Sequence, residues 1–383
     1  MVTAGTSTLH VFLPYIPTGL ILYYFLQTCV LYFSRRTFRK AHHCQPAKTR
    51  YPLKDPVFGF DLLLDTIRNA KKHRHLEGTQ RRYERYGTTF TSRLIIYPTI
   101  FTIDPKNIQS ILASDFGDYR LSSIRVNAMK PVFGHGIFTT DGKQWSRSRA
   151  LLRPTFAKES ISNLVVMETH FQHLLKRIPR DGSTVDLQEL FFCLTMDSAT
   201  EFLFGHSVNS QSNVGLGATA ISDAAFVESY TYTQLEASHN VRLGPFSKFN
   251  YNRRANEARR TVFAYVDRYI DIALQKIQKR DDSDFGDGKA HPYVFLNEIA
   301  NLTTDRQVLR DQVLNILLAG RDTTASLLSN MFFMLARNPG IWQKLRAEVS
   351  KLNGELPTYS DLRGMKYLHQ CVNECSYSDC LLV

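Results

Sequence analysis

The chain has 383 residues, of which 43% are hydrophobic, enough to bury a large core; this excludes global disorder. The net charge of +12 is lopsided: no Asp or Glu precedes Asp55, so Arg35, Arg36, Arg39, Lys40, Lys48, Arg50 and Lys54 supply +7 and the other 329 residues only +5. A basic block directly after a greasy segment points to a membrane surface, and argues against a nucleic-acid partner, whose basic stripe would run across the folded domain.

In chain order, Leu9 to Phe33 comes first: 25 residues without a formally charged side chain. About 20 apolar residues span a bilayer core, so one transmembrane helix is expected here. Residues 1–8 carry no basic side chain and the following flank is Ser34-Arg35-Arg36, which favours an uncleaved anchor over a cleaved signal. The positive-inside rule then places residues 34–383 on the cytoplasmic face. Residues 1–33 are read as the anchor, and residues 34–57, with Pro46, Pro52 and Pro56, as a basic connector. Residues 58–374 form the main domain and residues 375–383 an unrelated tail.

Residues 61–86 read as a helix that stops at Gly87. Thr88–Ile96 and Ile100–Ile103 are rich in β-branched residues and read as a hairpin broken at Pro98. Pro105 suits the first turn of a short helix running to about Ala113. From Gln144 to Thr304 the pattern is mostly helical, with polar loops at Ser207–Ala218 and Arg280–Lys289. The predicted fold is mainly α with a small N-terminal β region. The six cysteines (29, 44, 193, 371, 375 and 380) are scattered, which suits free thiols in a reducing compartment.

The last long element carries the chemistry. Thr304-Asp305-Arg306-Gln307 has capping-box spacing, with Thr304 as the cap, and a helix is expected to about Ala336, before Arg337-Asn338-Pro339. Its centre is apolar on several sides, as in a buried helix. Into that centre the sequence places Ala319-Gly320-Arg321-Asp322-Thr323-Thr324. A helical Gly costs about 1 kcal/mol relative to Ala, and an unpaired buried carboxylate costs several times more, so something should offset both. Gly320 leaves one face bare for a flat ligand. The Thr323 hydroxyl can bond back to the Ala319 carbonyl, and an acid beside an alcohol suits proton transfer to a small molecule. Read alone, the stretch fits equally an ordinary helix with back-bonded threonines and a solvated Arg321–Asp322 pair.

Ala319-Gly320-Arg321-Asp322-Thr323-Thr324 resembles the central-helix motif of the cytochrome P-450 monooxygenases. Trp145-Ser146-Arg147-Ser148-Arg149 matches that family's Trp-x-x-x-Arg pattern. The runs 115–120, 136–142, 150–156 and 197–205 are similar to the fungal n-alkane and fatty-acid hydroxylase branch. The resemblance implies a haem b cofactor, with Trp145 and Arg149 at its propionates and Ala319 and Gly320 against its face. It implies a proton relay through Asp322 and Thr323, with Thr324 toward the substrate pocket. It further implies a lipophilic substrate, electrons from an NADPH-cytochrome reductase, and a single-pass place in the endoplasmic reticulum membrane.

The resemblance weakens at the end. Tyr367–Glu374 resembles the start of the family's Glu-x-x-Arg helix, but the Arg position holds Tyr377 and the tail after Glu374 matches nothing in the family. No Gly-rich loop presents a haem-ligand cysteine, and Cys371, Cys375 and Cys380 lack both that loop and a zinc-like spacing, so no metal ligand is assigned. The expectation is an incomplete, C-terminally truncated P-450 fold without turnover. The alternative is a non-catalytic membrane protein, either a remnant or the product of a mis-predicted gene.

Overall fold

The computed structural model describes residues 15–45, 47–55, 59–72, 74–94, 97–156, 164–211, 222–282 and 293–377. The start of the expected anchor, most of both polar loops and the tail with Cys380 lie outside these residues. The chain divides into two compact units, residues 1–116 and 117–383.

In the first unit, helix α1 spans Tyr15–Ala41. The expected transmembrane helix is not found: among the described residues, no helix is long and apolar enough to cross a membrane. Tyr23, Tyr24, Gln27 and Thr28 dilute the apolar stretch of α1, and Arg35, Arg36, Arg39 and Lys40 occupy its last two turns. The helix expected over 61–86 is two helices, α2 (Phe60–Lys71) and α3 (His75–Tyr86), separated in the basic run that begins at Lys71. Gly87 stops α3 as predicted, at φ 86°.

Among the described residues, three strands form a sheet in the order β1 (Thr49–Arg50), β2 (Thr89–Leu94), β3 (Tyr97–Thr102). β1 is parallel to β2, and β2 pairs antiparallel with β3 from Thr89 opposite Thr102 to Leu94 opposite Tyr97. Pro98 does not break β3; it lies inside it, opposite Arg93. Among the described residues β3 is an edge strand, where a missing N–H need not cost a ladder bond. Phe90 anchors the small core, with Tyr83 at 5.4 Å and Phe101 at 5.2 Å between ring centroids. Helix α4 (Pro105–Gln109) is capped by Asp104, which accepts from the Lys106 amide, and ends in a wider turn through Ser114.

The second unit is helical: α5 (Ser123–Phe133), α6 (Gly142–Leu152), α7 (Leu164–Arg177), α8 (Leu187–Phe204), α9 (Asp223–Leu243), α10 (Arg253–Asp282), α11 (Phe295–Ala300), α12 (Arg306–Arg337), α13 (Pro339–Val349), α14 (Tyr359–Gly364) and α15 (Lys366–Tyr377). The mainly α prediction with a small early β region therefore holds. α12 is the axis of the unit. Leu309, Val313, Leu314 and Leu317 are fully buried among α8, α9, α10 and α11. Its cap is Asp305 rather than Thr304: the Asp305 carboxylate accepts from the amides of Gln307 and Val308. A charged acceptor at a helix N-terminus gains from the helix dipole as well as from the bonds. Arg310 fixes α12 to α10 by donating twice to Asp267, at 2.7 and 2.8 Å.

Polar side chains of α12 also clasp the segment after α5. Asp311 Oδ2 accepts from the His135 amide at 2.7 Å. Asn315 accepts from the Phe138 amide at 3.1 Å and donates to the Phe133 carbonyl at 2.8 Å. Gly134 and Gly136 make this possible: a Cβ on either would lie 1.9 Å from Asp311 or 2.0 Å from Asn315.

Candidate functional site

The predicted site residues fall on α12 and α6. Near the middle of α12 the helix emerges from the core, and Gly320, Thr323 and Thr324 are exposed. Ala319, Gly320 and Thr324 line a cavity of about 1130 Å³, with Ile316 and Leu328 from α12 and Phe202 from α8. A Cβ on Gly320 would meet only Ala199, at an ordinary 3.8 Å, so packing does not demand glycine there. The bare backbone borders the cavity beside Ala199 instead.

Thr323 Oγ1 donates to the Ala319 carbonyl at 2.7 Å, the back-bond its spacing predicts. Asp322 is not simply solvated. Gln234 Nε2, from α9, donates to its Oδ2 at 2.9 Å, and Arg321 Nη1 donates to its Oδ1 at 3.2 Å. Burial pushes the Asp322 carboxyl above the usual range, while Arg321 and the Gln234 bond pull it down. Arg321 is itself buried, only 8% exposed. These partners provide the offset that a carboxylate in a core helix requires.

Trp145 and Arg149 lie one turn apart on α6, with the guanidinium 5.3 Å from the indole centroid. Between them, Ser148 accepts from Gln312 Nε2 of α12 at 3.0 Å. At 3.6 residues per turn, Ala319 and Thr323 lie within roughly 20° of Gln312 around α12. That bond ties α6 to the stripe of α12 on which Ala319 and Thr323 also lie, about two and three turns further along. Trp145 and Arg149 do not line the cavity.

Sequence reasoning missed Gln234, the Ser148–Gln312 tie and the Asp311–Asn315 clasp. Gln234 stands 87 positions from Arg321, and no local pattern marks it.

Cys375 packs with Met331, Leu335 and Leu345. Burial, and next the Glu348 charge, push the Cys371 thiol up, away from the thiolate form. Glu374 is exposed. Among the described residues, no group of three His, Cys, Asp or Glu is placed to hold a metal ion.

Ala319, Gly320 and Thr324 of α12 thus border a mostly apolar cavity, while Asp322 and Thr323 of the same turn do not line it; an acid next to an alcohol is a pair able to hand on a proton. The sequence model of the Cytochrome P450 family matches residues 52–375, and the chain belongs to that family. It is 40% identical to cytochrome P450 monooxygenase fsdH of Fusarium heterosporum, over 92% of this chain and 62% of that protein. It is 42% identical to cytochrome P450 monooxygenase himC of Aspergillus japonicus, over 86% of this chain and 59% of that one. Cytochrome P450 52A12 of Debaryomyces hansenii is 39% identical over 84% of this chain, which spans 63% of the yeast protein. The chain thus spans about three fifths of the length of these fungal relatives. The family resemblance read from the motifs is borne out.

The family implies a haem. The residues present fit two of its sides: Gly320 offers bare backbone for a close flat approach, and Arg149 is exposed without an ion-pair partner among the described residues, ready for a carboxylate. Cys371 and Cys375 do not fit the thiolate side: burial pushes the first away from the thiolate form and the second is packed in an apolar cluster.

Proposed function

We propose that this chain carries the oxygen-handling wall and much of the substrate pocket of a haem-dependent monooxygenase that hydroxylates n-alkanes or fatty acids. The observation that carries the reading is the Ala319–Thr324 segment, in which Ala319, Gly320 and Thr324 line a mostly apolar cavity and Thr323 is back-bonded to Ala319. Trp145 and Arg149 would hold the haem carboxylates, and Ala319 and Gly320 would lie against the ring. When bound, haem supplies dioxygen activation. Asp322 would hold a proton at Oδ2 or Oδ1, and Thr323 Oγ1 would pass it on. Ile316, Leu328 and Phe202 give the cavity a mostly apolar lining suited to a hydrocarbon chain, with Thr324 beside them. Electrons would come from an NADPH-cytochrome reductase. The apolar and basic N-terminal residues would hold the protein at the endoplasmic reticulum membrane, with residues 34–383 cytoplasmic.

These 383 residues hold no Gly-rich cysteine loop, so we expect them to show no red-shifted Soret band with carbon monoxide when expressed alone. Fusing residues 1–374 to the C-terminal part of cytochrome P450 52A12 tests the function. The expected result is that band together with oxygenated fatty acids or alkanes, and a large loss of product with T323A. A chimera that binds thiolate haem but leaves both substrate classes untouched would overturn the substrate assignment.

A further inference from the structure

We propose that Gln234 and Arg321 are positioning residues that fix the direction of the Asp322 carboxyl group. The proposal rests on reading Asp322 as a proton-handling acid, and deepens it. Arg321 Nη1 donates to Gln234 Oε1 at 2.7 Å. Because an amide carries its acceptor and its donors on opposite sides, this bond turns the Gln234 Nε2 toward Asp322, where it donates to Oδ2 at 2.9 Å. Arg321 Nη1 also reaches Asp322 Oδ1 at 3.2 Å. Each carboxyl oxygen thus has its own donor, and the group cannot rotate without breaking one bond.

Arg321 is held just as firmly. Its Nη2 donates to Thr231 Oγ1 at 3.1 Å, and its guanidinium lies 5.3 Å from the Phe192 ring centroid and 6.0 Å from that of Tyr230. A buried arginine that served only to neutralise Asp322 would not need a second helix. Here α9 supplies Thr231 and Gln234, α8 supplies Phe192, and the pair of helices sets the angle at which the acid leaves α12. A proton donor is effective only within hydrogen-bond reach and in the right direction, so fixing the carboxyl is of direct chemical use. Among the described residues, the charged and titratable groups that act on Asp322 or lie beside its partner Arg321 are Arg321 on its own helix and Tyr230 on α9; α8 presents Phe192 to this cluster.

The test uses the 383-residue chain and does not depend on haem. The carboxyl band of Asp322 is identified by infrared difference against D322N and titrated with pH. Q234M keeps the volume of the side chain and loses both bonds. The expected result is a midpoint about one pH unit higher, the usual worth of one hydrogen bond to a carboxylate, with the melting temperature nearly unchanged. Q234E keeps the acceptor for Arg321 but replaces the donor by a like charge, and should raise the midpoint further. T231V, which releases Arg321 alone, should shift it in the same direction by less. An unchanged midpoint in Q234M and Q234E would overturn the proposal; so would a fall in melting temperature with no shift. If Q234M fails to fold, T231V and Q234E decide alone. Failure of the monooxygenase reading would show elsewhere, as a chimera that does not oxygenate while these midpoints move as expected.

Discussion

At the scale of single residues, three glycines separate fold from function. Gly134 has φ +56° and Gly136 does not have a left-handed backbone, yet both sit where a Cβ would drive into a buried side chain of α12. G134A should destabilise the second unit by about 2–4 kcal/mol, from overpacking and left-handed strain together, measured by chemical denaturation. Gly320 is the opposite case. G320A meets ordinary contact only, so it should leave the fold intact or stabilise it by up to ~1 kcal/mol, while weakening haem binding in the chimera. A stable variant with lost function would mark Gly320 as a functional rather than a packing residue. Asp311 shows the same tension electrostatically. Burial raises its carboxyl above the usual range, against the lowering effect of the His135 amide. A raised folded value means that its contribution to stability is complete below the ordinary carboxylate range and is lost as pH rises through the raised value. D311N keeps an oxygen for the His135 amide and removes the charge, so it should stabilise the chain at neutral pH and flatten the acid side of its stability profile.

At the scale of elements, the sequence was most legible where one local rule decides. Pro105 at a first turn, Gly87 after α3 and Asn338-Pro339 after α12 all act through their own backbone, and each stands where local chemistry puts it. It was least legible where position in the sheet or competition between caps decides. Pro98 is tolerated because β3 is an edge, and sheet order cannot be read from the strand itself. Asp305 displaced Thr304 because an anion outcompetes a hydroxyl at the same helix start. Another such cap comes from a different element: Glu348 of α13 accepts from the amides of Tyr367 and Leu368 at 3.0 and 2.8 Å, closing the N-terminus of α15. Those bonds hold the Glu348 carboxyl below its usual range. Its contribution is therefore present above the ordinary carboxylate value and is lost as pH falls through the depressed one. E348A should speed amide exchange at residues 367–372 at neutral pH, and the difference from the unaltered chain should vanish in acid. Equal exchange at neutral pH would show that α15 is held by Met331, Leu335 and Leu345 around Cys375 alone.

At the scale of the whole molecule, the chemistry-bearing segment was legible because it is contiguous: Ala319 to Thr324 announces itself within six residues. The groups that orient it were not, because chain folding brings Gln234 to Arg321 across 87 positions and the His135 amide to Asp311 across 176. The same folding leaves apolar surface in the open. Phe333 is 57% exposed on α12, Trp342 of α13 is 37% exposed, and Phe25 and Phe33 on α1 are each 61% exposed. Exposed apolar side chains in contiguous patches drive association when nothing else covers them. Two sources, α1 and the body, should therefore add. The 383-residue chain should sediment as a heterogeneous oligomer in detergent-free buffer, and deleting residues 1–41 should narrow the distribution without giving a monomer. Replacing Phe333 by Ser in that shortened chain should reduce association again, since the side chain makes little use of the core it leaves. A monodisperse monomer from the shortened chain, with Phe333 in place, would mean that the α12 face is too small or too polar at its rim to associate. Binding of that shortened chain to vesicles bearing anionic lipid should fall sharply as well, because α1 carries both the exposed apolar residues and the basic cluster Arg35, Arg36, Arg39 and Lys40 that such a surface attracts.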